Sequence, residues 1–100
     1  FEIEAERFLY NKKDLILTAD NNFSKFEKNK INARSKFLKY EKKQSIIELN
    51  QNVLIYDLTN NLEFIGEKII YDLKKNIIFS DKKSKLTDSD NNKYLIEKFH

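Results

Sequence analysis

Hydrophobic and polar residues alternate along this chain with a period of two. Phe1, Ile3 and Ala5 are separated by Glu2 and Glu4, and Leu62, Phe64 and Gly66 recur with Glu63 among them. Successive side chains of a strand point to opposite faces, so the pattern predicts strands with one dry face and one wet face. A helical reading of Ala5, Phe8, Leu9 and Ile16 fails locally, because Lys12 and Lys13 interrupt the stripe and no caps bracket it.

The alternation itself repeats. Tyr10, Tyr40 and Tyr71 lie 30 and 31 residues apart, each at the same point of one pattern. Nine residues before them lie Phe1, Ile31 and Leu62; five before lie the small residues Ala5, Ser35 and Gly66; two before lie Phe8, Leu38 and Ile69. After each tyrosine a polar stretch leads to an apolar pair: Ile16-Leu17, Ile46-Ile47 and Ile77-Ile78. A fixed period in the range of about 20 to 50 residues marks an array whose single units cannot bury their own apolar faces. Three units and the start of a fourth, at Asn91-Asn92, fill residues 1–100 as one domain, and the pattern predicts an excerpt of a longer array.

Turns must be made without proline, and Gly66 is the one glycine. Asn21-Asn22, Gln51-Asn52, Asn60-Asn61 and Asn91-Asn92 are the expected turn points, since asparagine tolerates left-handed backbone and bonds locally to the main chain. A second feature falls inside each unit. Ala5 to Phe8, Ser35 to Leu38 and Gly66 to Ile69 are odd steps, which in a regular strand would put apolar side chains on opposite faces. A bend at the small residue lets the chain pass from one wall to another while pointing inward on both. The expected fold is therefore all-β: an antiparallel, jelly-roll-like folded-sheet sleeve, open at both ends.

Composition narrows the function. Nineteen Lys and Arg against sixteen Asp and Glu leave a formal charge of only +3, spread through the turns of every unit, which argues against a nucleic-acid reader. No cysteine is present, which excludes disulfides and thiolate metal sites, and no apolar run approaches the roughly 18 residues a membrane-spanning helix needs. His100 is the only histidine, so neither a histidine metal cluster nor a Ser-His-Asp relay can be assembled, and no cofactor is implied. Glu27, Asp57 and Asp88 recur 17 residues after each tyrosine, as turn residues do and a single asymmetric catalytic pair does not. We expect no enzyme.

The unit Ile3-Glu4-Ala5-Glu6-Arg7-Phe8-Leu9-Tyr10, its counterpart Phe64-Ile65-Gly66-Glu67-Lys68-Ile69-Ile70-Tyr71-Asp72, and the strand Asn52-Val53-Leu54-Ile55-Tyr56-Asp57 resemble a known family. It is the OstA-like periplasmic domain of the lipopolysaccharide-transport A protein and of the N-terminal part of the transport D protein. The resemblance covers the whole chain, with one departure: the family's glycine before the Asn-Val pair is absent from Leu49-Asn50-Gln51. It implies a periplasmic location in Gram-negative bacteria, free or within an outer-membrane protein. It also implies sleeves that stack by edge-strand pairing with other OstA-like domains and carry lipopolysaccharide toward the outer membrane.

The inward positions Ile3, Phe8, Ile31, Leu38, Val53, Ile55, Leu62, Phe64, Ile69 and Ile77 are the candidate lipid-binding residues. From the residues alone they read first as the packed core of a structural or adhesive β-repeat protein with a closed core and no lipid ligand, since alternating apolar residues are what any sandwich needs. The resemblance favours the groove. The tyrosines are expected to be structural, at the core or rim with a bonded hydroxyl.

Overall fold

The chain turns back on itself about every 15 residues, half the sequence period, so each repeat unit is a pair of strands. The computed structural model describes residues 1–80, 82–88 and 93–96, in eight strands: β1 (Glu2–Asn11), β2 (Ile16–Phe26), β3 (Ile31–Glu41), β4 (Ile46–Asp57), β5 (Leu62–Asp72), β6 (Ile77–Ser80), β7 (Ser84–Thr87) and β8 (Lys93–Ile96). All described pairings are antiparallel, in the order β1-β2-β3-β4-β5-β7-β8, with β6 also on β5. Among the described residues the sheet is open: β1 pairs with β2 alone, β6 with β5 and β8 with β7. The expected Asn91-Asn92 turn and His100 lie outside the described residues.

Five four-residue turns, at 12–15, 27–30, 42–45, 58–61 and 73–76, join β1 through β6. Each closes on a left-handed residue: Leu15, Lys30, Ser45, Asn61 and Asn76 have φ between 53° and 56°. That conformation turns the carbonyl of the closing residue toward the next turn on the same rim. The Leu15 carbonyl accepts from the Lys42 amide (3.0 Å), that of Ser45 from Leu73 (2.9 Å), and that of Lys30 from Leu58 (2.9 Å). Asp57 Oδ1 accepts the Thr59 and Asn60 amides, and Asp72 Oδ1 those of Lys74 and Lys75. Turn chemistry is thus what Asp57 does, as its recurrence indicates.

Asn21-Asn22 and Gln51-Asn52 are not strand-to-strand turns. They lie in mid-strand, where β2 and β4 bend, while Asn60-Asn61 is a true turn. The bend falls where the odd steps place it. One row of small or polar residues runs along the fold line, Ala5 opposite Asn22 opposite Ser35, and Val53 opposite Gly66 opposite Ser84. On β2 Asn21 takes φ 47°, and on β4 Gln51 and Asn52 take 66° and 52°. The register shifts by one residue at this point of β4 against both neighbours. That extra residue is why the second tyrosine interval is 31 and the first 30.

The fold line divides the sheet into two walls. The first holds Glu2–Ala5 of β1 and the matching segments through β7 and β8; the second holds Arg7–Asn11 and the matching segments through β6. At the line, Asn22 Nδ2 donates to the Ala19 carbonyl (3.2 Å), and the Ser35 hydroxyl lies 2.9 Å from the Phe37 carbonyl and 3.2 Å from Asn22 Oδ1. Ser80 Oγ lies 3.1 Å from the Lys68 carbonyl and receives the Lys82 amide. These bonds satisfy polar groups that the bend would otherwise strand in the interior.

Candidate functional site

The inner face is built from cross-strand rows. On the second wall one row runs Phe8, Ala19, Leu38, Leu49, Ile69, Ser80, and the next runs Tyr10, Leu17, Tyr40, Ile47, Tyr71, Ile78. On the first wall Ile3, Ser24, Ala33, Ile55 and Phe64 share a row, and Ile31 and Leu62 share the row at the rim. Leucine, isoleucine and valine dominate the centre, where Ile47, Val53, Ile55 and Ile69 are fully buried. The middle of the sleeve is therefore occupied by its own buried side chains.

Exposure falls along both second-wall rows from β1 toward β5. Tyr10 is 51% exposed, Tyr40 half-buried and Tyr71 1% exposed; Phe8 is 47% exposed while Leu38 and Ile69 are buried. The walls face each other with an offset, which explains the gradient. Tyr71 on β5 meets Phe26 at the end of β2, ring centroids 5.0 Å apart, and Asn29 in the turn that follows. An inward residue of the second wall is covered by a first-wall strand two or three places earlier, and for β1 there is none among the described strands. Phe8 and Tyr10 form the apolar mouth at this end of the described sheet. At the opposite end the first-wall residues Leu62, Phe64 and Leu86 are half-buried.

Nine of the ten candidate lipid-binding residues share this inner face. Ile31, Leu38, Val53, Ile55 and Ile69 are buried, Ile3, Leu62 and Phe64 half-buried, and Phe8 open. Ile77 is the correction. It pairs with Asp72 in the outward row with Ile46 and is 39% exposed, while its neighbour Ile78 points inward opposite Tyr71. Period two decides this: only the second member of each apolar pair, Leu17, Ile47 or Ile78, lies opposite an inward tyrosine. Counting back across the turn from Tyr10, Tyr40 or Tyr71 would have found all three. Ala19, Phe26 and Leu49 were missed as well; Leu49 lies on the far side of the Gln51-Asn52 bend from Val53 and Ile55, where the alternation changes phase.

Chemically the interior offers little besides apolar surface. Burial pushes the Tyr71 phenol above its ordinary value near 10, and the hydrogen bond from Asn29 offsets part of that rise. Ser24 Oγ is buried without a protein partner. Among the described residues no group of three or more His, Cys, Asp or Glu side chains gathers as metal ligands, and no helix is long and apolar enough to cross a membrane. On the outer face charges are paired or stacked: Arg7 with Asp20 (2.8 Å), Lys68 with Glu48 (3.3 Å), and Arg34 over the Phe23 ring (5.2 Å).

Residues 9–77 match the family model described as LptA/(LptD N-terminal domain) LPS transport protein. No curated protein matches the chain.

Proposed function

The chain belongs to the LptA/LptD N-terminal domain family of LPS transport proteins, and from that premise we propose that it is a carrier module holding the acyl chains of lipopolysaccharide against its inner face. The observation that carries the proposal is the continuity of the apolar inward rows from strand to strand, from Phe8 and Tyr10 on β1 to Ile69 and Tyr71 on β5. An acyl chain in water is costly, about 0.8 kcal/mol per methylene and so on the order of 10 kcal/mol for a whole chain. A row of equivalent apolar sites lets the chain move without returning to water, and lets it leave again because no site is much deeper than the next. The filled middle of the sleeve favours contact at the mouths first, with Phe8 and Tyr10 at one end and Phe64 at the other. The periplasm is the compartment in which this role has meaning.

The partners of this reading are lipopolysaccharide and other sleeves of the same family. The edge of β1 is unpaired among the described strands, as are those of β6 and β8, and open edges template another strand. Pairing of the β1 edge with the far edge of a second copy is a head-to-tail contact, which does not close on itself and so extends. Stacking in that sense would place the two open mouths against each other and join the inner faces.

Native mass spectrometry with lipid A tests the reading directly. A lipid A adduct that persists while an equimolar phospholipid control is lost is expected. Loss of both would leave the packed β-repeat with no lipid ligand as the better account. Proline at Ile3, which removes a β1 donor, should also lower any concentration-dependent mass seen in sedimentation.

A further inference from the structure

The inner row of the first wall departs from the repeat at one place. Ile3, Ser24, Ala33, Ile55 and Phe64 share that row on β1 through β5. Strands two apart are equivalent in the repeat, so Ser24 stands where β4 carries Ile55, and Ala33 stands where β1 carries Ile3 and β5 carries Phe64. Two adjacent large apolar positions are thus held by a hydroxymethyl group and a methyl group. Both are covered, Ser24 at 0% exposure and Ala33 at 2%. Small size alone would say only that side chains pack closely here; the hydroxyl says more. Ser24 Oγ has no hydrogen-bond partner in the protein, and among the described residues it is the one buried side-chain oxygen or nitrogen of which this is true. Asn22, Ser35 and Ser80 at the fold line are each bonded to a main-chain carbonyl. β2 is paired on both sides, so the main-chain groups beside Ser24 are engaged in the ladders. A buried hydroxyl without a partner is destabilising, and an alanine there would carry no such cost.

We infer that Ser24 is a specificity-determining residue of the inner face, and that its hydroxyl takes its partner from the ligand, an acyl chain bearing a hydroxyl near its head end. The inference rests on the carrier reading and adds to it which chain is preferred. A chain that enters tail first from the Phe8 and Tyr10 end and lies across the strands passes Ile3 and then Ser24, one strand spacing of about 5 Å further in. Its tail runs on along Ala33 and Ile55, so the atoms that come to rest beside Ser24 belong to the head end. Because Ser24 is fully covered, any chain that reaches it displaces the side chains over it. An unsubstituted chain does so and still leaves Oγ unpaired. A hydroxylated chain gives Oγ a bond in either direction, since each hydroxyl can donate or accept. Discrimination comes from that difference, and one hydrogen bond of this kind is worth about tenfold in affinity.

Two synthetic glucosamine phosphates that differ only in their chains, 3-hydroxytetradecanoyl in one and tetradecanoyl in the other, provide the test. Each is titrated calorimetrically into the full chain and into Ser24→Ala. The unmodified chain is expected to bind the hydroxylated ligand about tenfold more tightly than the plain one, and Ser24→Ala to bind the two equally, through weaker binding of the hydroxylated ligand. The urea midpoint of Ser24→Ala is expected to equal or exceed that of the unmodified chain, because the substitution removes a hydroxyl that nothing in the protein satisfies. Equal affinities in the unmodified chain, or a preference that survives in Ser24→Ala, overturn the inference and leave the carrier reading standing. A lowered midpoint for Ser24→Ala overturns it as well, since the hydroxyl would then be bonded within the protein. No binding of either ligand by the unmodified chain removes the carrier reading and this inference with it.

Discussion

Phe8 and Leu38 occupy one cross-strand row, on the same face and separated only by Ala19, yet they are expected to fail differently when truncated. Leu38 is 1% exposed, with Leu49 beside it on the neighbouring strand. Leu38→Ala removes buried methylenes and leaves a cavity that a sheet cannot collapse easily, so it should cost about 3 kcal/mol. Phe8 is 47% exposed. Full burial of a phenylalanine is worth about 1.5 to 3 kcal/mol, so the part already buried is worth about 1 kcal/mol, and truncation there opens no enclosed cavity. Urea unfolding followed by circular dichroism should therefore show a much lower midpoint for Leu38→Ala with an unchanged slope, and a small shift for Phe8→Ala. Lipid A binding should reverse the order: Phe8→Ala weakens it about tenfold, equivalent to about 1.4 kcal/mol, while Leu38→Ala that remains folded binds nearly as before. If Phe8→Ala destabilises as strongly as Leu38→Ala, the mouth is closed in solution and the reasoning fails. If Leu38→Ala abolishes binding without loss of stability, the centre is an open groove and the packing described for it is wrong.

Three further outcomes follow from the turns, the fold line and the buried Tyr71. Ser45→Gly should raise stability by up to about 1 kcal/mol in chemical denaturation, because Ser45 holds φ 56° where a non-glycine residue is strained; Asn61→Gly, at a residue already suited to that conformation, should change it little. Gly66→Ala would bring a Cβ to 3.1 Å from Ser84 Cβ, so β7 must give by a few tenths of an ångström, and a loss of about 1 kcal/mol in the same assay is expected. Tyr71 has a folded-state pKa raised above 10 by burial, so its contribution to stability is fully present below pH 10 and is lost as pH rises through the folded value. Absorbance titration should show a late-ionising tyrosine that disappears in Tyr71→Phe; Tyr56, whose bond to Glu63 also raises it, remains as an internal reference.

Much of this architecture is legible in the sequence because the repeat over-determines it. Three tyrosines at one phase reveal the units, and the odd step after Ala5, Ser35 and Gly66 reveals the fold line, since a single residue out of phase would otherwise turn an isoleucine or leucine into water. The polar positions were harder. Asn21-Asn22 and Gln51-Asn52 look like turns because asparagine serves any left-handed position, and a bend inside a strand needs one as much as a hairpin does. Conversely Leu15, Lys30 and Ser45 close turns without any residue type to announce it, because the rim hydrogen bonds hold the backbone there. Ile77 was misplaced since two adjacent isoleucines carry no phase of their own. The exposure of Phe8 was invisible for a different reason: it depends on the offset between walls, a property of how the sheet twists and not of any local pattern.

The central claim is that lipid meets the inner face and not merely an apolar surface, and adjacent residues of β1 can separate the two. Leu9 is 71% exposed and points outward, while Phe8 beside it is 47% exposed and points inward. A photo-crosslinking residue placed singly at Phe8, Phe64, Leu9 and Ile77, and irradiated with lipopolysaccharide bound, reads which face the lipid touches. The account predicts capture at Phe8 and Phe64 and little at Leu9 or Ile77, despite the greater exposure of Leu9. Capture that follows exposure, with Leu9 equal to Phe8 or above it, would contradict the account.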